Sequence, residues 1–206
     1  MATLRDRIVD GEYPQGVKLV EQDLAREFGI SRPALREILV DLESQGLVEK
    51  RPNKGTVVRW VDAKSLLEIM GMREVLEGLA ASLAAQRTTA DEWRDLEAEL
   101  AKPFSQMVEN LEYDRYLSLI TRFRERMVQA AQNEELSRQI YSLYAKIMIV
   151  QRRIVILPGR IQEAMEEHRQ VLKAIMEGDA EKAEAKKRLN IRNARTWLEK
   201  YKKWVV

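Results

Sequence analysis

The chain has 206 residues, no cysteine and a single histidine. Disulfide frameworks, thiolate nucleophiles, cysteine-ligated zinc and multi-histidine metal sites are therefore excluded. The formal charge is +2, and residues 1–60 hold ten Lys/Arg against ten Asp/Glu, which excludes a binder driven by bulk positive charge while leaving room for a few clustered cations.

No apolar run approaches the roughly 18 residues needed to cross a bilayer. The opening MATLRDRIVDG is too charged for a secretory signal. The expectation is a cytoplasmic protein without membrane contact. With 33% charged residues and few glycines and prolines, it should be mainly α.

In chain order, Leu4 and Ile8 form the apolar pair of a short helix closed by Gly11. Residues 13–16 (Tyr-Pro-Gln-Gly) make a turn, after which Val17 and Leu19 dock the connection. Glu21–Phe28 is a second helix, with Leu24 and Phe28 on one face, broken by Gly29. Ser31 is a good N-cap for a third helix, and Pro33 sits in its first turn, where a missing N–H costs nothing. Leu35, Ile38, Leu39 and Leu42 recur at helical spacing until Gly46. Residues 47–50 and 56–59 then alternate around Asn53-Lys54-Gly55, a hairpin.

Short helices, a tight turn and a hairpin predict a winged helix-turn-helix with a small β-hairpin wing. Its second motif helix would enter the DNA major groove by its N-terminal residues. Arg32 and Arg36 lie four apart there, and an arginine fork can bond guanine bidentately or clamp phosphate. Lys54 at the wing tip is placed for phosphate or minor-groove contact. The other use of such a shape is as a non-DNA adaptor that contacts protein.

Residues 60–62 (Trp-Val-Asp) read as a hinge, dividing a domain of residues 1–61 from one of residues 62–206. From Lys64 the pattern is helical throughout. Leu66, Ile69, Met70, Met72, Val75, Leu76, Leu79 and Leu83 make one broad apolar face to Arg87. Thr89 and Glu92 are spaced as a capping box for a helix reaching Met107, with Pro103 as a kink or break. Further helices are expected over 113–131, 134–157, 160–177 and 179–203, six with short connections, hence an all-α antiparallel bundle. The basic run from Lys182 to Lys203, Lys187 included, alternates with glutamates and reads as a solvated face; Trp197, Tyr201 and Trp204 read as packing or an interface.

Residues 4–58 resemble the DNA-binding domain of the GntR family of bacterial transcription regulators. Gly11 and Gly16, Leu24-Ala25 followed by residues 29–32 (Gly-Ile-Ser-Arg), and Arg36-Glu37 carry the resemblance. It implies operator contacts by Ser31, Arg32, Arg36, Lys54 and Gly55. A further arginine used by some members falls at Gln22.

Residues 63–200 resemble the FCD ligand-binding domain of the FadR subfamily, through Met72–Glu77, Phe123-Arg124, Ala130–Asn133 and Glu167–Asp179. Many such domains hold a divalent metal by one aspartate and three histidines. Those positions fall here at Ile120, Arg124, His168 and Asn190, so no metal and no cofactor is expected. Arg124 would bring a permanent cation into the bundle, where it needs a partner. The partner is either an internal carboxylate or an anionic effector held by Arg73 and Arg124 with His168 and Asn190.

The resemblance thus implies a sequence-specific transcription regulator, a repressor rather than an enzyme. It would be a homodimer on double-stranded operator DNA, controlled by a small carboxylate. The alternatives are a metal-responsive member of the family and the adaptor.

Overall fold

The computed structural model describes residues 3–9, 11–101, 113–155 and 159–205. It contains two compact units, one of residues 1–62 with 142–151, the other of residues 63–141 with 152–205.

In the first unit, α1 (Leu4–Val9) buries Leu4 and Ile8. Helix α2 (Glu21–Phe28) ends at Gly29, whose φ of 65° is the left-handed conformation open to glycine; its N–H bonds the Ala25 and Arg26 carbonyls. Helix α3 (Arg32–Ser44) starts at Ser31, whose side chain accepts from the Ala34 N–H at 3.4 Å. Strands β1 (Val48–Arg51) and β2 (Gly55–Val58) pair antiparallel, Val48 opposite Val58 and Arg51 opposite Gly55. Leu24, Leu35, Leu39, Leu42, Leu47 and Val57 pack the small core.

Two expected core residues stay partly outside. Ile38 is 39% exposed, because Leu35, Leu39 and Leu42 already fill the inward stripe of α3. Val17 is 38% exposed and docks by its backbone instead, its carbonyl accepting from the Val58 N–H at 2.9 Å.

In the second unit, α4 (Ala63–Arg87) is followed by a 3₁₀ turn (Ala90–Trp93) with the expected Thr89/Glu92 capping box. Then come α5 (Arg94–Leu100), α6 (Tyr113–Ala130), α7 (Glu134–Val155, of which residues 142–151 belong to the first unit), α8 (Arg160–Met176) and α9 (Ala180–Val205). These are the six helices expected, among the described residues. The reading of Pro103 as a kink on the way to Met107, and the break at Pro158, lie outside the described residues.

Helix α9 packs on α4 and α8. The approach to α4 is close: a Cβ at Gly78 would lie 2.8 Å from Arg188 Cγ. The inner face of α4 differs from the expected apolar one. Met72, Val75 and Leu79 are exposed, whereas Arg73 and Glu77 are buried. Apolar residues surround most of this helix, so periodicity alone does not rank its faces, and small residues (Gly78, Ala80, Ala81, Ala84) decide where neighbours can approach.

Candidate nucleic-acid interface and buried charge network

The expected DNA-contacting side chains lie at the start of α3 and at the tip of the wing. Ser31 caps α3, and Arg32 and Arg36 follow on one face, with side chains 60% and 61% exposed. At the wing, Asn53 (φ 63°) and Gly55 (φ 78°) form the turn that presents exposed Lys54.

Sequence reasoning missed a carboxylate in this surface. Glu21, the first residue of α2, accepts from Arg36 Nε at 2.8 Å and lies 4.0 Å from an Arg32 terminal nitrogen. Nothing in the local sequence announces it, since the pair spans fifteen residues and depends on how α2 and α3 cross. Lys50 pairs with Glu43 and Arg51 with Glu49.

Two of the four expected effector residues, Arg73 and Asn190, join one buried polar network, and Arg124 and His168 couple to it electrostatically. Arg73 Nε bonds Glu77 Oε1 at 2.5 Å, and Lys187 Nζ meets Glu77 Oε2 at 2.9 Å. Lys187 also donates to Asn190 Oδ1 at 3.0 Å. Asn190 in turn donates to Glu167 Oε2 at 2.7 Å, and Glu167 receives Arg160 and Asn193 as well. Ile120, where the resemblance puts an aspartate, is a buried core residue.

Lys187 corrects the solvated-face reading of the basic run: it is fully buried. Its position on α9 points inward with Ala183, Asn190 and Ile191, and Glu77 neutralises it there. Glu77 is therefore the internal carboxylate for Arg73 and Lys187. The spacing Arg73–Glu77, four apart, was the available signal for that pair. Trp197 stacks on Tyr201 with ring centroids 5.3 Å apart.

Electrostatics in the network are strongly coupled. Burial pushes the Glu77 carboxyl up, but Arg73, Lys187 and Arg124 outweigh it and leave the group at about 2. Burial lowers Lys187 to about 8 against the opposing pull of Glu77. His168 lies edge-on to Phe123, and its Nδ1 is buried without a hydrogen-bond partner. Burial first, then Lys187, Arg124, Arg160 and Arg73, hold it well below the usual imidazole range. The same cations would repel a divalent ion, so this donor set does not fit a metal. No group of three or more His, Cys, Asp or Glu able to hold one occurs among the described residues.

A pH dependence follows. The unfolded chain takes up a proton at His168 near pH 6.5 and the folded chain does not. Stability should thus fall below about pH 6.5 by up to ~1.4 kcal/mol per pH unit. Glu77 adds stability that is present above pH 4.5 and lost as pH falls from there through about 2. Urea midpoints measured across pH 4.5–7.5 should show the His168 part of the slope vanish in His168→Gln. An unchanged slope in that variant would mean that His168 titrates normally in the fold.

A winged helix-turn-helix with two exposed arginines at the start of α3, followed by a helical bundle with buried charges, fits the class of DNA-binding regulators that carry their own sensor domain. Two family models match, "Bacterial regulatory proteins, gntR family" over residues 1–58 and "FCD domain" over residues 68–192. The chain is 33% identical over 182 residues to the "Probable D-xylose utilization operon transcriptional repressor" of Paenarthrobacter nicotinovorans, covering 86% of this chain and 77% of that one. It is 25% identical over 205 residues to the galactonate operon transcriptional repressor of Escherichia coli, covering 88% and 87%. The structure of E. coli McbR/YncC shares the fold, with a TM-score of 0.78 at 22% identity over 96% of this chain and 94% of that one.

The chain belongs to the GntR family of bacterial transcription regulators, in its FadR-like subfamily with an FCD domain. It is a DNA-binding transcription regulator under metabolite control.

Proposed function

We propose that the protein is a cytoplasmic homodimeric repressor. Residues 1–61 read the half-sites of a near-palindromic operator, and residues 62–206 dimerise and hold a small carboxylate. The observation that carries the DNA reading is the start of α3, where Arg32 and Arg36 stand more than half exposed just after the Ser31 cap. Lys54 and Gly55 add backbone contacts at the wing. Two of the relatives above are named as operon repressors, which favours repression here. No helix among the described residues is long and apolar enough to cross a membrane.

The carboxylate reading rests on charge. Arg73, Arg124, Arg160 and Lys187 all bear on His168, and the carboxylates paired within this set are Glu77 and Glu167. Together these cations set a positive field at His168, to which an anionic effector is suited. Arg73 and Arg124 supply charge, and His168 and Asn190 supply hydrogen bonds. No metal, cofactor or catalytic step enters this reading. Effector binding would change operator affinity by the coupling between the two sites, typically ~1–3 kcal/mol.

The test is selection of random duplexes by the purified full chain at physiological salt, with the enriched sites sequenced. An enriched short inverted repeat is the expected result, and it supplies the DNA on which small carboxylates are screened. Weak binding that vanishes as salt rises, with nothing enriched either alone or with a panel of small carboxylates present, would overturn the operator reading in favour of a protein-binding adaptor.

A further inference from the structure

We infer that Glu21 is a positioning residue for DNA recognition: its carboxylate holds Arg36 and Arg32 together and turns their affinity from phosphate toward base edges. The inference rests on the proposed DNA contacts of these two arginines.

The geometry is asymmetric. One carboxylate oxygen, Glu21 Oε2, accepts from Arg36 Nε at 2.8 Å and lies 4.0 Å from an Arg32 terminal nitrogen. Glu21 is 31% exposed, about half the exposure of either arginine. The acid is thus held on the scaffold at the first turn of α2, while the guanidinium heads project beyond it. Gly29, in the αL conformation, ends α2 and leads the chain into the turn before α3.

Two consequences follow from the chemistry. A guanidinium whose Nε–H is committed to a carboxylate keeps its terminal nitrogens on the far edge, and guanine O6 and N7 accept a forked pair of donors. Phosphate recognition needs only charge, and a carboxylate shared by two cations halves their net charge and repels an incoming phosphate. Glu21 therefore lowers sequence-independent binding more than operator binding. An exposed ion pair contributes little to fold stability, so loss of this one should leave the fold intact for the test below. The pairing also accords with the even charge balance of residues 1–60.

The experiment compares the full chain with Glu21→Gln and Arg36→Ala, on the selected operator and on a scrambled duplex of equal length, over a range of salt. Glu21→Gln is expected to bind the scrambled duplex about 2- to 5-fold more tightly, the worth of one exposed charge pair. The operator-to-scrambled ratio should fall accordingly, and the slope of log K against log salt should steepen by about 0.9 for each phosphate gained. If Arg36→Ala weakens operator binding while Glu21→Gln keeps the wild-type ratio and slope, the role of Glu21 is overturned. Equal loss on both duplexes at unchanged slope means a structural role and overturns it too. If Arg36→Ala binds both duplexes as wild type does, the DNA-contact reading itself fails, and the inference with it.

Discussion

Arg36→Ala is expected to weaken operator binding by about 5- to 150-fold, ~1–3 kcal/mol, if the arginine reads a base. The side chain is 61% exposed, and within the protein it meets Glu21. Its removal should therefore leave the unfolding midpoint nearly unchanged, because exposed pairs add little to stability. The loss should also concentrate at one position of the operator. Titrations against a set of single-base operator variants separate the possibilities: a loss that is uniform across sequences, with a salt slope reduced by about 1, identifies Arg36 as a phosphate contact. Unaltered affinity for every duplex would remove α3 from the DNA interface. Arg32 shares the face but is held more loosely, at 4.0 Å from Glu21, so its truncation should act more through charge than through geometry.

In the bundle the largest effect is expected from Glu77→Ala, a loss of about 3–5 kcal/mol in stability. Glu77 is fully buried and is shared by Arg73 at 2.5 Å and Lys187 at 2.9 Å. Removing it takes from Arg73 and Lys187 the carboxylate they share beside Arg124, and a carboxylate held at about 2 is ionised at any pH near neutrality. Lys187→Met in the Glu77→Ala background should restore part of the loss, since it removes one of those two buried charges and keeps an apolar stem of similar length. Urea unfolding of the full chain at pH 7, followed by helical circular dichroism, measures both. A cost below about 1 kcal/mol for Glu77→Ala would show that water reaches the network and screens it. The double variant separates charge from packing: a cavity cost would not be recovered by changing Lys187.

Much of the chain was legible because its signals are local. The Ser31 cap, Pro33 in the first turn, Gly29 at the helix end and Asn53-Lys54-Gly55 at the wing are read within a few residues, since backbone sterics and terminal hydrogen bonds act at that range. The hairpin lies within one residue of its expected limits. The bundle helices were legible from their 3.6-residue period, and their number from the short connections between them.

What local pattern could not rank was the burial of charge. Lys187 sits in a basic run that resembles a wet surface, yet it is buried, because Glu77 comes from a helix more than a hundred residues earlier. Met72, Val75 and Leu79 fit the apolar period of α4 and are nonetheless exposed, because small residues and the Arg73–Glu77 pair occupy the side that packs. Glu21 joined the arginines of α3 only through the crossing of two helices.

The sequence by itself determined the helices, the wing and the family, and singled out the two exposed arginines of α3. Only the tertiary structure decided which charges meet. A helix period specifies a stripe, whereas an ion pair between elements requires two stripes at a definite distance and angle, and that depends on every side chain packed between them.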